Sequence, residues 1–331
     1  VVLILSPLRW IESLLFGRKI RNFKFKNPPI FILGHWRSGT TLLFQQLCQD
    51  PQFGFVDTFQ SFFPHHVLMS EGFLRPLAAL LLPDKRPTDN VKLSFSFPQE
   101  DEFALGNMNP HSFYHAWYFP ENTRFVVDNY FHLDNLSPKD REKWKKDYKT
   151  LLAKALINTG KDQIVVKNPV NTGRIRILLE MFPDAKFIYI HRNPFHVFKS
   201  TRKLYAKTLP MLCMQEFYEE EVRDNILHIY QKMFEWYEDE KDLIPSANLV
   251  EVKFEDLEAD LVGNMGQLYE RLSLPGYEKA LPYFEAYASK LQGYKKNVHR
   301  FSEEEVRLVV ENWQESLAKW KYEVPGAVGV K

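Results

Sequence analysis

The chain has 331 residues, 45% of them hydrophobic and 27 of them Phe, enough to bury the core of one large α/β domain or two small ones. A net charge of +1 excludes a global field that gathers nucleic acid, so any anion site has to be local. Two cysteines, Cys48 and Cys213, exclude a disulfide framework, and no Cys/His group has zinc-ligand spacing.

Val1–Phe16 is apolar but broken by Pro7, Arg9 and Glu12, too short and too charged to span a bilayer. It has no small-residue cleavage site, so a secretory signal is not expected and a reducing, cytoplasmic setting is. Arg18, Lys19, Arg21, Lys24 and Lys26 follow. Two readings fit: a helix lying peripherally on an anionic membrane surface, or a helix packed on the domain with a solvated basic connector. The packed helix is the commoner case.

Pro29–Asp50 (PIFILGHWRSGTTLLFQQLCQD) is the stretch around which the rest is organised. Ile30–Leu33 is an apolar run long enough for a buried strand, and Leu42, Leu43, Gln46 and Leu47 fall at helical spacing. Between them runs a turn with Gly34 and Gly39 at its ends. Strand, glycine turn and helix N-terminus make an anion cradle, because the first-turn N–H groups are free and the dipole favours negative charge. The spacing G-x-x-x-x-G is that of the nucleotide P-loop, but Thr40 stands where that loop has its lysine and the cation comes earlier, as Arg37. An ordinary ATPase or GTPase is thereby disfavoured.

Pro51–Pro98 is rich in Phe and Pro, with Phe53, Phe55, Phe59, Phe62 and Phe63 close together and an apolar run at Phe73–Leu82. Such segments line apolar pockets or fill ordinary core. Phe97–Leu105 (FPQEDEFAL) carries Glu100, Asp101 and Glu102 between apolar residues, where a partly desolvated carboxylate becomes a better-matched base. His111, His115 and His132 remain alternatives for that role.

Ser137–Gly160 reads as a helix, with Ser137 as N-cap, Pro138 in the first turn and Gly160 at the end. Gln163–Val166 is a buried strand ending at Lys167, Arg174–Phe182 a helix, Lys186–Ile190 a strand ending at His191-Arg192, and Phe195–Tyr205 a helix. Asn248–Phe254 is a further strand; Gln215–Leu243, Asp256–Leu272 and Glu278–Ser289 are helices, and Ser302–Glu305 is a capping box before the last one. Strands alternating with helices predict an α/β fold, a P-loop-like parallel sheet flanked by helices on both faces. Ligands of such sheets bind at the C-terminal strand ends. Arg37, Lys167 and Arg192 all fall there, which calls for a ligand with several separated negative charges.

GHWRSGTTLL resembles the 5′-phosphosulfate loop of sulfotransferases that use 3′-phosphoadenosine 5′-phosphosulfate (PAPS), and YIHRNPFHVFKS resembles their 3′-phosphate motif. The Lys167–Ser200 block is similar to that of tyrosylprotein sulfotransferases and bacterial relatives, and VKFEDLEAD and YKKNVHRFSEEE also look like family features. The resemblance implies PAPS as co-substrate, no metal, and a small-molecule acceptor bearing a hydroxyl. It implies that Arg37, Ser38, Gly39, Thr40 and Thr41 hold the 5′-phosphosulfate, that Lys167 contacts the transferring group, and that Arg192 and Ser200 hold the 3′-phosphate. FPQEDEFAL resembles the acidic segment of the glutamate-using branch, which puts the base at Glu100 with Glu102 next.

There are departures. His196 stands where the family often has Asp, and Leu42 where a tryptophan often follows the two threonines. The late Arg-Lys-Gly motif of the cytosolic branch is missing, and Tyr294, Lys296 and Asn297 are placed to substitute for it. The apolar insert favours a hydrophobic alcohol such as a sterol or another lipid as acceptor. A glycan O-sulfotransferase, a P-loop nucleotide kinase and a non-catalytic nucleotide-binding protein are the alternatives. The expected organisation is an amphipathic, basic extension over 1–27, a sulfotransferase domain over 28–322 and a tail over 323–331.

Overall fold

The computed structural model describes residues 2–80, 94–291 and 300–326. Five parallel strands form one sheet in the order β2-β3-β1-β4-β5: β1 Ile30–Leu33, β2 Phe53–Gly54, β3 Gln163–Lys167, β4 Lys186–His191 and β5 Leu249–Lys253. Around them lie, in chain order, α1 Val2–Arg21, α2 Thr40–Leu47, α3 Thr58–Phe62, α4 Val67–Ala79, α5 Asp101–Gly106, α6 His115–Tyr118, α7 Thr123–Val126, α8 Pro138–Thr159, α9 Ile175–Met181, α10 Pro194–Leu212, α11 Glu219–Glu240, α12 Phe254–Ala259, α13 Leu261–Arg271, α14 Tyr277–Leu291 and α15 Glu303–Trp320.

The alternation of β1 shows why the sheet carries helices on both faces. Phe31 and Leu33 enter a core with Trp144 and Tyr148 of α8 and Ile177 and Leu178 of α9. Ile30 and Ile32 enter the opposite core with Leu43 of α2, Met265 and Leu268 of α13 and Phe284 of α14. All four strand residues are fully buried, and a strand buried on both sides needs the continuous apolar run seen here. The chain passes from β1 to β2 and β3 on one side, then crosses to β4 on the other. The C-terminal ends of β1, β3 and β4 therefore border the crevice where such sheets bind ligands.

Several boundaries differ from the sequence reading. The two-residue β2 is too short to leave a pattern. Phe254 opens α12 instead of closing β5, and the expected helix over 256–272 divides at Asp260, whose carboxylate caps α13 by accepting the Gly263 N–H (2.8 Å). Helix α10 runs past Tyr205 and tolerates Pro210, because Tyr205 and Leu209 stay buried against the α11 side of the core. Arg18, Lys19 and Arg21 belong to α1 and do not form a connector after it. Phe53 and Phe59 are core residues, whereas Phe73, Leu77 and Leu80 face solvent instead of lining a pocket. Among the described residues no helix is long and apolar enough to cross a membrane.

Candidate functional site

The chain leaves β1 through three residues with positive φ: Gly34 at 131°, Arg37 at 69° and Gly39 at 100°. A side chain at Gly34 would strike the Ile190 carbonyl of β4; the Gly34 N–H donates to Thr172 Oγ1 (2.9 Å). Ser38 closes the turn, its hydroxyl donating to the His35 carbonyl (2.7 Å). His35 donates through Nδ1 to the Trp36 carbonyl (2.7 Å), and burial lowers its pKa to about 4, so the ring is neutral at neutral pH. Gly39 is the N-cap of α2 and supplies no side-chain cap, which leaves the first-turn amides open to an anion. A Cβ at Gly39 would overlap the Phe254 ring, at a φ that side chains avoid. Gly39→Ala is expected to destabilise the fold by about 1–3 kcal/mol and to abolish nucleotide binding, read by thermal unfolding and calorimetry.

The cations converge. Arg37 donates through Nε to Ser200 Oγ (2.8 Å), joining the loop to α10. Arg192 donates through Nη1 to the Arg37 carbonyl (3.1 Å), and its guanidinium lies 4.2 Å from the centroid of the Phe254 ring. The Arg192 Nε is buried with no protein partner, an orphaned donor where a phosphate would fit. Burial lowers the Arg192 pKa, opposed by Glu255 and Glu258. Lys167, at the end of β3, is buried; its Nζ lies 3.3 Å from Thr41 Oγ1 and 2.5 Å from Glu100 Oε1.

The three consecutive acids have three different environments. Glu100 is the N-cap of α5 yet caps nothing; its carboxylate reaches Lys167 and accepts from the Tyr114 hydroxyl (3.2 Å). Glu102, expected as the second candidate base, has no exposed surface. Arg174 Nη1 (2.7 Å), Asn168 Nδ2 (2.9 Å), Ser112 Oγ (2.9 Å) and the Phe113 N–H (2.9 Å) all donate to it. Burial alone would raise its pKa, but Arg174 with these donors holds it below the ordinary value. With both oxygens so enclosed, Glu102 ties α5 to the turn that follows β3 and has no face for an acceptor. Asp101 is also buried, with the Tyr148 hydroxyl beside its carboxylate. Burial raises its pKa to about 7, against Tyr148 and Arg174. Between its ordinary value and 7 the folded chain keeps a proton that the unfolded chain has released, so stability falls as pH rises through that window. Asp101→Asn is expected to raise the unfolding midpoint by roughly 5 °C near pH ~8 and to leave it almost unchanged near pH ~4.

None of the three histidines bonds to this cluster: His132 is held by Glu240 (3.1 Å) and Asp134 (2.8 Å), His111 by Asn109 (3.2 Å), and His115 lies beside Tyr130. Tyr294, Lys296 and Asn297 lie outside the described residues. The chain re-enters at Arg300 and Phe301 beside α10, where Phe301 packs on Phe195 and His196. The sequence reading did not single out Arg174, Asn168, Tyr114, Thr172 or Phe254. The Lys-Asn-Pro triplet at the end of β3 was the one local cue, since Asn168 caps the turn that follows by accepting the Val170 N–H (3.0 Å). Among the described residues no group of His, Cys, Asp and Glu is arranged to hold a metal ion.

The family model described as Sulfotransferase family matches residues 28–279. The Omega-hydroxy-beta-dihydromenaquinone-9 sulfotransferases Stf3 of Mycobacterium bovis and Mycobacterium tuberculosis are each 31% identical over 312 residues, covering 94% of this chain and 80% of their own length. Sulfotransferase STF9 from Mycobacterium avium shares the fold with a TM-score of 0.73 at 17% identity, over 96% of this chain and 82% of that one. STF1 from Mycobacterium tuberculosis H37Rv does so with a TM-score of 0.59 at 17% identity, over 85% and 76%.

Proposed function

Since the chain belongs to the sulfotransferase family, we propose that it moves the sulfuryl group of PAPS to a hydroxyl on a hydrophobic, lipid-like acceptor, with Glu100 as general base. The observation that carries this reading is the position of Lys167, whose ammonium bridges Thr41 of the phosphate loop and the Glu100 carboxylate.

The donor supplies a sulfuryl group already joined to a phosphate leaving group. The chain's own work is to hold an anion at two ends, orient a hydroxyl and take up a proton. Arg37 and the backbone amides of Ser38, Gly39, Thr40 and Thr41 grip the 5′-phosphosulfate. Arg192, with its orphaned Nε, and Ser200 grip the 3′-phosphate; a planar guanidinium suits a divalent anion better than an ammonium. Glu100 receives the proton as the acceptor oxygen forms its bond to sulfur and the bond from sulfur to the phosphate oxygen breaks. Lys167 offsets the charge that develops on the leaving side. Tyr114 orients the base, and Glu102 with Arg174 fixes the helix that carries it.

The acceptor class is supported by the relative at 31% identity, which is named for a hydroxylated menaquinone. Transfer of radiolabelled sulfuryl from PAPS is measured against ω-hydroxylated isoprenoid quinones, sterols and sugars, with EDTA present. Turnover on a lipid hydroxyl is expected. Transfer confined to sugars, a requirement for magnesium with phosphate transfer, or nucleotide binding without turnover would each overturn the reading.

A further inference from the structure

Helix α1 is built inside out. Its single acid, Glu12, is buried and pairs with Lys154 of α8 (2.5 Å), while its second oxygen accepts the Met69 N–H of α4 (3.1 Å). Lys154 also donates to the Pro64 carbonyl (2.8 Å). A buried ion pair of this kind sets the rotation of a helix. The rotation it sets turns Trp10 (74% exposed), Leu14 (84%), Leu15 and Ile11 to solvent.

Its neighbour does the same. In α4, Arg75 pairs with Asp57 and Glu71 (2.5 Å each), while Phe73 and Leu77, with Leu80 (82%) just past the helix end, face out. Helix α1 packs on α4, α4 on α3, and α3 on α5, which Glu100 directly precedes. Phe62 in α3 and Phe103 in α5 are exposed as well.

Cations edge this face. Arg9, Arg18, Lys19, Arg21 and Lys24 make no ion pair among the described residues, and Glu12 is the lone acid before Asn27. The charge distinguishes between possible occupants. A twofold contact with a second copy would press this positive patch against itself. An anionic bilayer complements it, the apolar side chains entering the headgroup boundary and the arginines and lysines meeting lipid phosphates.

We infer that the outward face of α1 and α4 docks the protein on the surface of an anionic phospholipid bilayer. This goes beyond the transfer chemistry and holds or fails independently of it.

The test is co-sedimentation with phosphatidylcholine vesicles, with and without phosphatidylglycerol. Binding is expected to phosphatidylglycerol vesicles, falling at least ~10-fold without the anionic lipid or at high salt. Leu14→Glu/Leu15→Glu is expected to abolish it, and Arg18→Glu/Lys19→Glu to weaken it about 10-fold or more, with unchanged unfolding midpoints because all four side chains are exposed. Failure to bind either vesicle, or binding that survives Leu14→Glu/Leu15→Glu, overturns the inference. So does a dimer in solution that Leu14→Glu splits and that does not bind vesicles.

Discussion

Glu100→Gln is expected to lower turnover about 10²–10⁴-fold, the range for loss of a positioned general base, while adenosine 3′,5′-bisphosphate binds within a few-fold of its original affinity. The amide keeps the shape of the carboxylate, with its oxygen placed to accept from Lys167 and its NH2 placed to donate to the Tyr114 hydroxyl oxygen. The variant therefore removes the proton acceptor and leaves the surroundings in place. Single-turnover rates with saturating donor, together with calorimetry on the bisphosphate, separate the two effects. Unchanged turnover would remove Glu100 from the chemistry. Glu102→Gln gives a different signature: it unpairs the buried Arg174 and is expected to lower stability by about 3–5 kcal/mol before any catalytic effect is read.

Lys167→Met is the second large effect, with kcat expected to fall about 10²–10³-fold and KM for the donor changing far less. The lysine is buried between the loop and the carboxylate, so an uncharged side chain of similar length fills the space without supplying charge. Each single variant leaves its partner without an opposite charge. The double variant Glu100→Gln/Lys167→Met is therefore expected to cost less than the product of the two singles. Strict multiplication would show that the ion pair has no part in turnover.

The loop and the strands around it were legible because their signals are local. Four apolar residues, two glycines at fixed spacing and a helix start are all contained between Ile30 and Leu47. The convergence of Arg37, Lys167 and Arg192 was legible at one remove, since each follows an apolar run and parallel strands end at one edge. The division of labour among Glu100, Asp101 and Glu102 was not legible. Three consecutive side chains at a helix start point in different directions, and what each one meets comes from far along the chain: Lys167 for the first, Tyr148 for the second, Arg174 for the third. The orientation of α1 was hidden for a related reason. Its apolar residues are distributed around the helix, and only the partner of Glu12, on α8, decides which of them face inward.

Phe254 sits at the junction of β5 and α12, filling the space that Gly39 leaves empty and lying against the Arg192 guanidinium. A benzene ring is rigid and cannot lengthen or shorten as a flexible chain can. It stands as a rigid spacer of fixed gauge between the Gly39 turn and the Arg192 guanidinium, whose Nη1 also holds the Arg37 carbonyl. On the proposed assignment of the two phosphate sites, a nucleotide bearing phosphate at a single end would engage only half of that preset gauge.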